Sequence, residues 1–290
     1  MANTDLHMHS AYSLDGEHSI AGLIDIAHKQ NVTTIAIADH NTVEGAIEAQ
    51  NTEHPGLRII PAIEIDAQYK GRTYHILGYN IDLHDPRYQQ LHETVEKQDY
   101  HVGEAIMDKV EKLGIIVDKD AVRKLVNGMP IAAESIAEII LAAPRNDNHP
   151  LLADFRPNGK RSDNPYVNFY WDVCAQDKPA YVPVTYMSVQ EAIELIHSTG
   201  GKAVFAQPGN NLKSDYDLCR EILDLGLDGI EACASYHTPE QNTEFVKIAK
   251  EKNLFYTTGS DFHGKTKPAI QMGSVNPMED PEDFQKQLPL

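Results

Sequence analysis

The chain has 290 residues, 41% of them hydrophobic, and a formal charge of −18. That length can bury a full core, as one large α/β domain or a domain carrying an insertion; the charge argues against a broad surface for duplex nucleic acid or anionic membrane, no apolar run reaches the ~20 residues of a membrane span, and the amino terminus lacks the basic-then-apolar layout of a signal peptide. Cys174, Cys219 and Cys233 have no metal-type spacing and read as small buried thiols, so a cytoplasmic protein is expected, its acid excess partly neutralised by bound cations.

The first strand is expected over residues 4–9. It carries Asp5-Leu6-His7-Met8-His9, in which strand alternation sends Asp5, His7 and His9 to one face and Leu6 and Met8 to the other. Two imidazoles then converge on one point, and neutral imidazole is the commonest protein ligand of a transition metal. Ser19 caps a helix to about residue 30, with Ile20, Leu23, Ile24 and Ala27 on one face. A buried strand over 33–38 runs into Asp39-His40, a short helix reaches about 50, and residues 57–63 lead to Glu64. Residues 64–69 and 72–80, parted by Lys70-Gly71, read as a hairpin whose second arm holds His75. The pattern then changes to helices at 88–113, 118–127 and 131–142 and a loop of Pro, Asn, Asp and Arg over 144–165. This helical block, 85–180, is read as a cap inserted into a domain formed by 1–84 and 181–290. Alternation resumes with helix 188–199, strand 202–206, helix 214–225, strand 228–232, helix 239–252 and strand 254–258.

Polar clusters fall at the same place in each unit: His7 and His9, Asp39 and His40, Glu64, Gln207, Glu231, and Asp261 with His263 each close a strand. In β/α barrels the carboxyl ends of the strands form the active face, so these residues would meet there. Singly each has a bland reading, such as Asp39 capping a helix or Asp261 sitting in a turn. It is their joint placement that points to a metal site.

At these residues, with Asp15 and Tyr74-His75-Ile76-Leu77-Gly78, the chain resembles the PHP (polymerase and histidinol phosphatase) superfamily from Asp5 to about Gly264. It is most similar to the bacterial phosphoesterases resembling nucleoside 3′,5′-bisphosphate phosphatases, which share a helical insertion after the His75-type hairpin. The resemblance implies an α/β fold, a distorted (β/α)7 barrel with an inserted helical cap. It implies two to three divalent ions (manganese, zinc or iron) held by His7, His9, Asp15, His40, Glu64, His75, Asp261 and His263, with Glu64 bridging two of them. Asp39 would orient a ligating imidazole, and His237 would stand near the leaving group as a catalytic and substrate-binding residue. The implied activity is hydrolysis of a phosphate ester of a small metabolite, a nucleoside bisphosphate or short oligonucleotide, by metal-activated water. A catalytically weakened binding protein and a histidinol-phosphate-type phosphatase are the alternatives.

Two positions depart from the family pattern. Gln207-Pro208-Gly209 stands where the family usually shows His-Pro-Gly, so one metal position is expected to be weak or lost. In the cap, Ala133 and Ser135 align with an Arg and a His that grip phosphate in the subgroup, and Arg145, Arg156 and Arg161 are the expected replacements.

Overall fold

The computed structural model describes residues 3–278 together with residues 284, 288 and 289. In chain order the elements are β1 (Asn3–Met8), α1 (Ile20–Lys29), β2 (Val32–Ile37), α2 (Glu44–Asn51), β3 (Arg58–Tyr69) and β4 (Arg72–Tyr79). Then come α3 (Pro86–Lys112), α4 (Lys119–Val126), α5 (Ala133–Ala142) and α6 (Pro165–Phe169). The chain finishes with β5 (Met187–Ser188), α7 (Val189–Ser198), β6 (Lys202–Phe205), α8 (Pro208–Asn211), α9 (Tyr216–Leu223), β7 (Gly229–Ala234), α10 (Pro239–Glu251) and β8 (Phe255–Gly259).

The strands run in the order β1-β2-β3-β4-β6-β7-β8, with β5 added to β3. β4 is antiparallel to both its neighbours and the other pairings along that path are parallel. The segment after β8 returns beside β1: His9 N–H donates to Phe262 C=O at 2.9 Å and Asp261 N–H to His7 C=O at 2.8 Å. The sheet is thereby a nearly closed, distorted barrel, and residues from the two ends of the sequence share one rim.

Local chemistry sets the helix starts. Ser19 Oγ accepts from Gly22 N–H, and Ser188 with Glu191 and Thr238 with Gln241 form reciprocal capping boxes. The buried stripe of α1, Ile20, Leu23, Ile24 and Ala27, is the one its periodicity predicts. The barrel interior is small and apolar below the site, with Leu6, Ala36, Ala38, Ile60, Ala62, Leu77, Tyr79, Val204 and Ala206 in contact.

Alternation fails in β1. Leu6 belongs to that interior cluster while Met8 packs outside, among Ile20, Leu23 and Ile35. A register shift between Asp5 and Met8 accounts for it, because an extra residue in a strand reverses the facing beyond it. Asp5 likewise does not join the imidazole donor groups; its carboxylate accepts from Ser260 N–H at 2.8 Å and Gly273 N–H at 2.7 Å and ties the closing segment to β1.

The inserted helices have their own apolar core, which includes Met107, Val110, Val122, Ile136, Ile140 and Phe169. α3 spans two cores: Tyr88, Leu91 and Val95 pack on the barrel, and Ile106, Met107 and Val110 on the cap. The loop expected over 144–165 contains two short 3-10 turns, and α6 with a wide turn over Tyr170–Cys174 was not anticipated. All three cysteines are buried and unpaired.

Candidate metal centre

β1, β3 and the segment after β8 bring four donor atoms to one point, from His7, His9, Glu64 and Asp261. His7 Nε2 lies 3.2 Å from His9 Nε2 and 3.2 Å from Glu64 Oε2. His9 Nε2 lies 3.1 Å from Glu64 Oε2 and 3.2 Å from Asp261 Oδ1. Donors bound at ~2.0–2.1 Å around one tetrahedral ion stand ~3.3–3.4 Å apart, so the spacing suits a shared cation. A second group joins His9, Asp15, His40 and His263, in which His263 Nε2 is 3.0 Å from Asp15 Oδ2. A third joins His40, Asp66 and His75.

Whether these groups fit metals is tested by what their buried atoms touch. Asp15 Oδ1, His40 Nδ1, both carboxylate oxygens of Glu64, Asp261 Oδ1 and His263 Nε2 are buried without a hydrogen-bond partner. Orphaned buried polar atoms are rare and costly, and here they converge on the three groups. A divalent cation satisfies such atoms at once, so the residues fit.

The opposite ring nitrogens are held, as ligating imidazoles require. His7 Nδ1 bonds Glu231 at 3.0 Å, His9 Nδ1 bonds Ser13 Oγ at 3.0 Å, and His263 Nδ1 donates to Asp261 C=O at 2.9 Å. Ser13 Oγ also accepts from His40 N–H at 2.9 Å, linking the exits of β1 and β2. Glu231 is fixed in turn by Gln207 N–H at 3.0 Å. Gly259 is required beside it, since a Cβ there would lie 2.3 Å from both Glu231 Oε1 and His7 Cβ.

Charges compete strongly in so small a volume. Burial raises the Glu64 and Asp261 carboxyls, but His7, His75 and His40 hold Glu64 well below the ordinary range, and Lys267, His263 and His9 do the same for Asp261. Burial with His263 and His40 pulls His9 down to about 4. His75 goes the other way, up to about 9, because Glu64 and Asp66 outweigh its burial.

Several sequence expectations change. Asp39 bonds no imidazole: its oxygens accept from Ser10 N–H at 2.6 Å and Ser10 Oγ at 2.7 Å. It positions the turn after His9, while Ser13 is what orients the ring. His237 donates through Nδ1 to Ala232 C=O at 3.1 Å and accepts through Nε2 from Gly209 N–H at 3.0 Å. With both nitrogens committed to backbone and burial pulling it down to about 4, it is a brace between β7 and α8 rather than a proton donor. Arg145 pairs with Asp118, Arg156 with Asp147 and the Leu141 carbonyl, and Arg161 with Asp172. None of the three arginines contacts the metal groups. Gln207 sits on the rim with φ 43°, its backbone committed to Glu231.

Four residues were missed. Asp66 could have been found, since it follows Glu64 by two on the same strand face. Glu231 was noticed at its strand end without a role. Lys267, whose Nζ lies 2.6 Å from Asp261 Oδ2, and Glu134, a buried cap residue within electrostatic reach of Asp15, Lys267 and His263, carried no sequence signal.

Comparison with known proteins agrees with this geometry. The PHP domain pattern matches residues 5–141. A 5′-3′ exoribonuclease of Haemophilus influenzae is 30% identical over 267 residues, covering 89% of each chain. A 3′,5′-nucleoside bisphosphate phosphatase of Chromobacterium violaceum is 26% identical over 273 residues, covering 91% of this chain and 88% of that one. A solved structure from Bifidobacterium adolescentis, assigned to the metal-dependent phosphoesterases, superposes with TM-score 0.78 at 25% identity, covering 99% of this chain and 96% of that one. The chain belongs to the PHP family and is a metal-dependent phosphoesterase.

Proposed function

We propose that the substrate is a nucleotide, cleaved as a phosphomonoester or at the terminal phosphodiester of a short single strand. The observation that carries this reading is a cavity of about 490 Å³. It lies between the cap, through Asp163 and Asn164, and the barrel, through Ser235, Tyr236 and Asn242. Tyr236 joins it to the centre, its ring 5.5 Å from Lys267 Nζ, which is paired with Asp261. Ser235 Oγ is buried there with no hydrogen-bond partner, and Tyr236 Oη and Asn242 Oδ1 are buried beside it. Unused donors and acceptors in a concave site suit a nucleoside, with its sugar hydroxyls and base edges, better than an alkyl phosphate. The names of the two relatives, an exoribonuclease and a nucleoside bisphosphate phosphatase, support the same class.

Divalent ions at the three groups supply Lewis-acid polarisation of the phosphate and a water acidified toward neutrality. The chain's own residues do the rest. Glu231 and Ser13 hold His7 and His9 in register, and Lys267 offsets the crowded carboxylates with a buried ammonium. We place the protein in the cytoplasm, a reading supported by its free buried thiols.

The test is phosphate or nucleotide release from a panel of nucleoside bisphosphates, 5′-phosphorylated oligoribonucleotides, sugar phosphates and histidinol phosphate, with manganese or zinc present. Nucleotide substrates are expected to exceed the others in kcat/KM by about 10⁴-fold, the discrimination available when a polar site is left unpaired by the wrong ligand. Asn242→Ala should raise KM for the nucleotide with little change in kcat. Equal or better turnover of sugar or histidinol phosphates would overturn the nucleotide reading.

A further inference from the structure

Resting on the metal-centre reading above, we propose that Asp66 is a protein ligand of the third metal position, which this chain builds without the side chain of Gln207. The family resemblance would leave that position to Glu64, His75 and the side-chain amide of Gln207. The fold supplies a carboxylate. Glu64 and Asp66 lie two positions apart on β3, so both project into the barrel mouth, and β4 pairs antiparallel with Asp66 opposite His75. His75 Nε2 lies 3.2 Å from Asp66 Oδ1, and His40 Nδ1 lies 3.7 Å from the same oxygen. These are separations of donors around one ion.

The two oxygens of Asp66 are already divided between tasks. Asn41, in the left-handed region at φ 55°, donates from Nδ2 to Asp66 Oδ2 at 2.8 Å and accepts from Asp66 N–H at 3.0 Å. This two-point clamp fixes the carboxylate with Oδ1 turned to the imidazoles. A second, independent observation marks the place as a ligand position. Glu64 is fully buried, its Oε1 has no hydrogen-bond partner, and that atom stands 3.1 Å from His75 Nδ1. Asp66 with His40 and His75 forms a set of one carboxylate and two imidazoles, with the Glu64 carboxylate on the other edge of the His75 ring. Mixed carboxylate and imidazole sets of this kind suit manganese or ferrous iron.

The test uses the full chain, stripped with chelator, reloaded with manganese chloride and desalted, with manganese per chain measured by elemental analysis and binding followed by electron paramagnetic resonance. Wild type is expected to hold three equivalents. Asp66→Ala and Asp66→Asn should each lose one equivalent, or bind it at least 100-fold more weakly. Gln207→Ala should retain all three. In the double variant D66A/Q207H the third equivalent should return with a preference shifted toward zinc. Should D66A fail to fold, D66N keeps the shape and the Asn41 contact and decides the matter. Retention of the third ion within tenfold of wild-type affinity in D66N would overturn the assignment, since a residue that only orients His75 gives that result; so would its loss in Gln207→Ala. His9→Ala is the control: a full complement there, or no metal in wild type, sinks the metal-centre reading itself. Loss in His9→Ala with none in the Asp66 variants sinks only the assignment of Asp66.

Discussion

At the scale of single residues, the centre depends on groups that never need touch a metal. Glu231 holds His7 through Nδ1 and is itself held by the Gln207 amide. Its replacement by Gln keeps the shape but removes the charge that makes His7 a strong donor. We expect a 10–100-fold loss of metal affinity, the usual cost of removing such a partner, with an unchanged circular dichroism spectrum. Titration of the stripped variant with zinc checks it. His75 gives a pH dependence of definite sign. Glu64 and Asp66 lift it to about 9 against its burial, so at neutral pH its ring is protonated and must lose that proton to coordinate. Apparent metal affinity should therefore rise with pH through the neutral range and level off above about 9. Calorimetry in buffers of differing ionisation enthalpy would detect the released proton; affinity independent of pH between 6.5 and 9 would contradict the assignment.

At the scale of elements, the cap reaches the centre through the first turn of α5. Sequence alignment pointed to Ala133 and Ser135, but Glu134 is the residue buried toward Asp15, Lys267 and His263. Burial, with Asp15 adding to it, lifts Glu134 from its ordinary value of 4.5 to about 7. Between these values the folded, metal-free chain keeps a proton that the unfolded chain releases, so stability falls as pH rises from 4.5 and levels off above about 7. Glu134→Gln removes that dependence. In chelated protein the variant should match wild type near pH 5 and exceed it by about 2–3 kcal/mol near pH 8, at ~1.36 kcal/mol for each tenfold change in proton affinity. Urea unfolding at the two pH values decides it. Lys265, paired with Glu138 at 2.7 Å, and Asn164, accepting from Ala269 N–H at 2.9 Å, fasten the same cap to the segment after β8. That fastening keeps the cavity walls in place.

For the molecule as a whole, the metals act as part of the fold. Asp15, Glu64, Asp66 and Asp261 crowd one rim of a chain whose net charge is already −18. Cations that bind only the folded state stabilise it by mass action, by about 4 kcal/mol at a thousandfold excess over Kd. Chelation should lower the melting temperature by several degrees, on the order of 2–4 °C per kcal/mol, and manganese should restore it. An unchanged melting temperature on chelation would mean that the ions are not bound in the resting protein. Among the described residues no helix is long and apolar enough to cross a membrane.

Residue order alone was enough to specify the alternating strands and helices, the run of helices without strands in the middle of the chain, and His, Asp and Glu residues at several strand ends. Those features are written in local periodicity and in residue type, which a chain carries before it folds. Order alone could not decide which side chain each ligand leans on. The shift in β1 that sends Leu6 inward and Met8 outward lies in strand pairing. Glu231 is 224 residues from His7 in sequence, and only barrel closure brings the two together. Asp39 and His237 show the same limit from the other side: each is the right type of residue at a strand exit, and each is bound to neighbours that tertiary packing alone supplies.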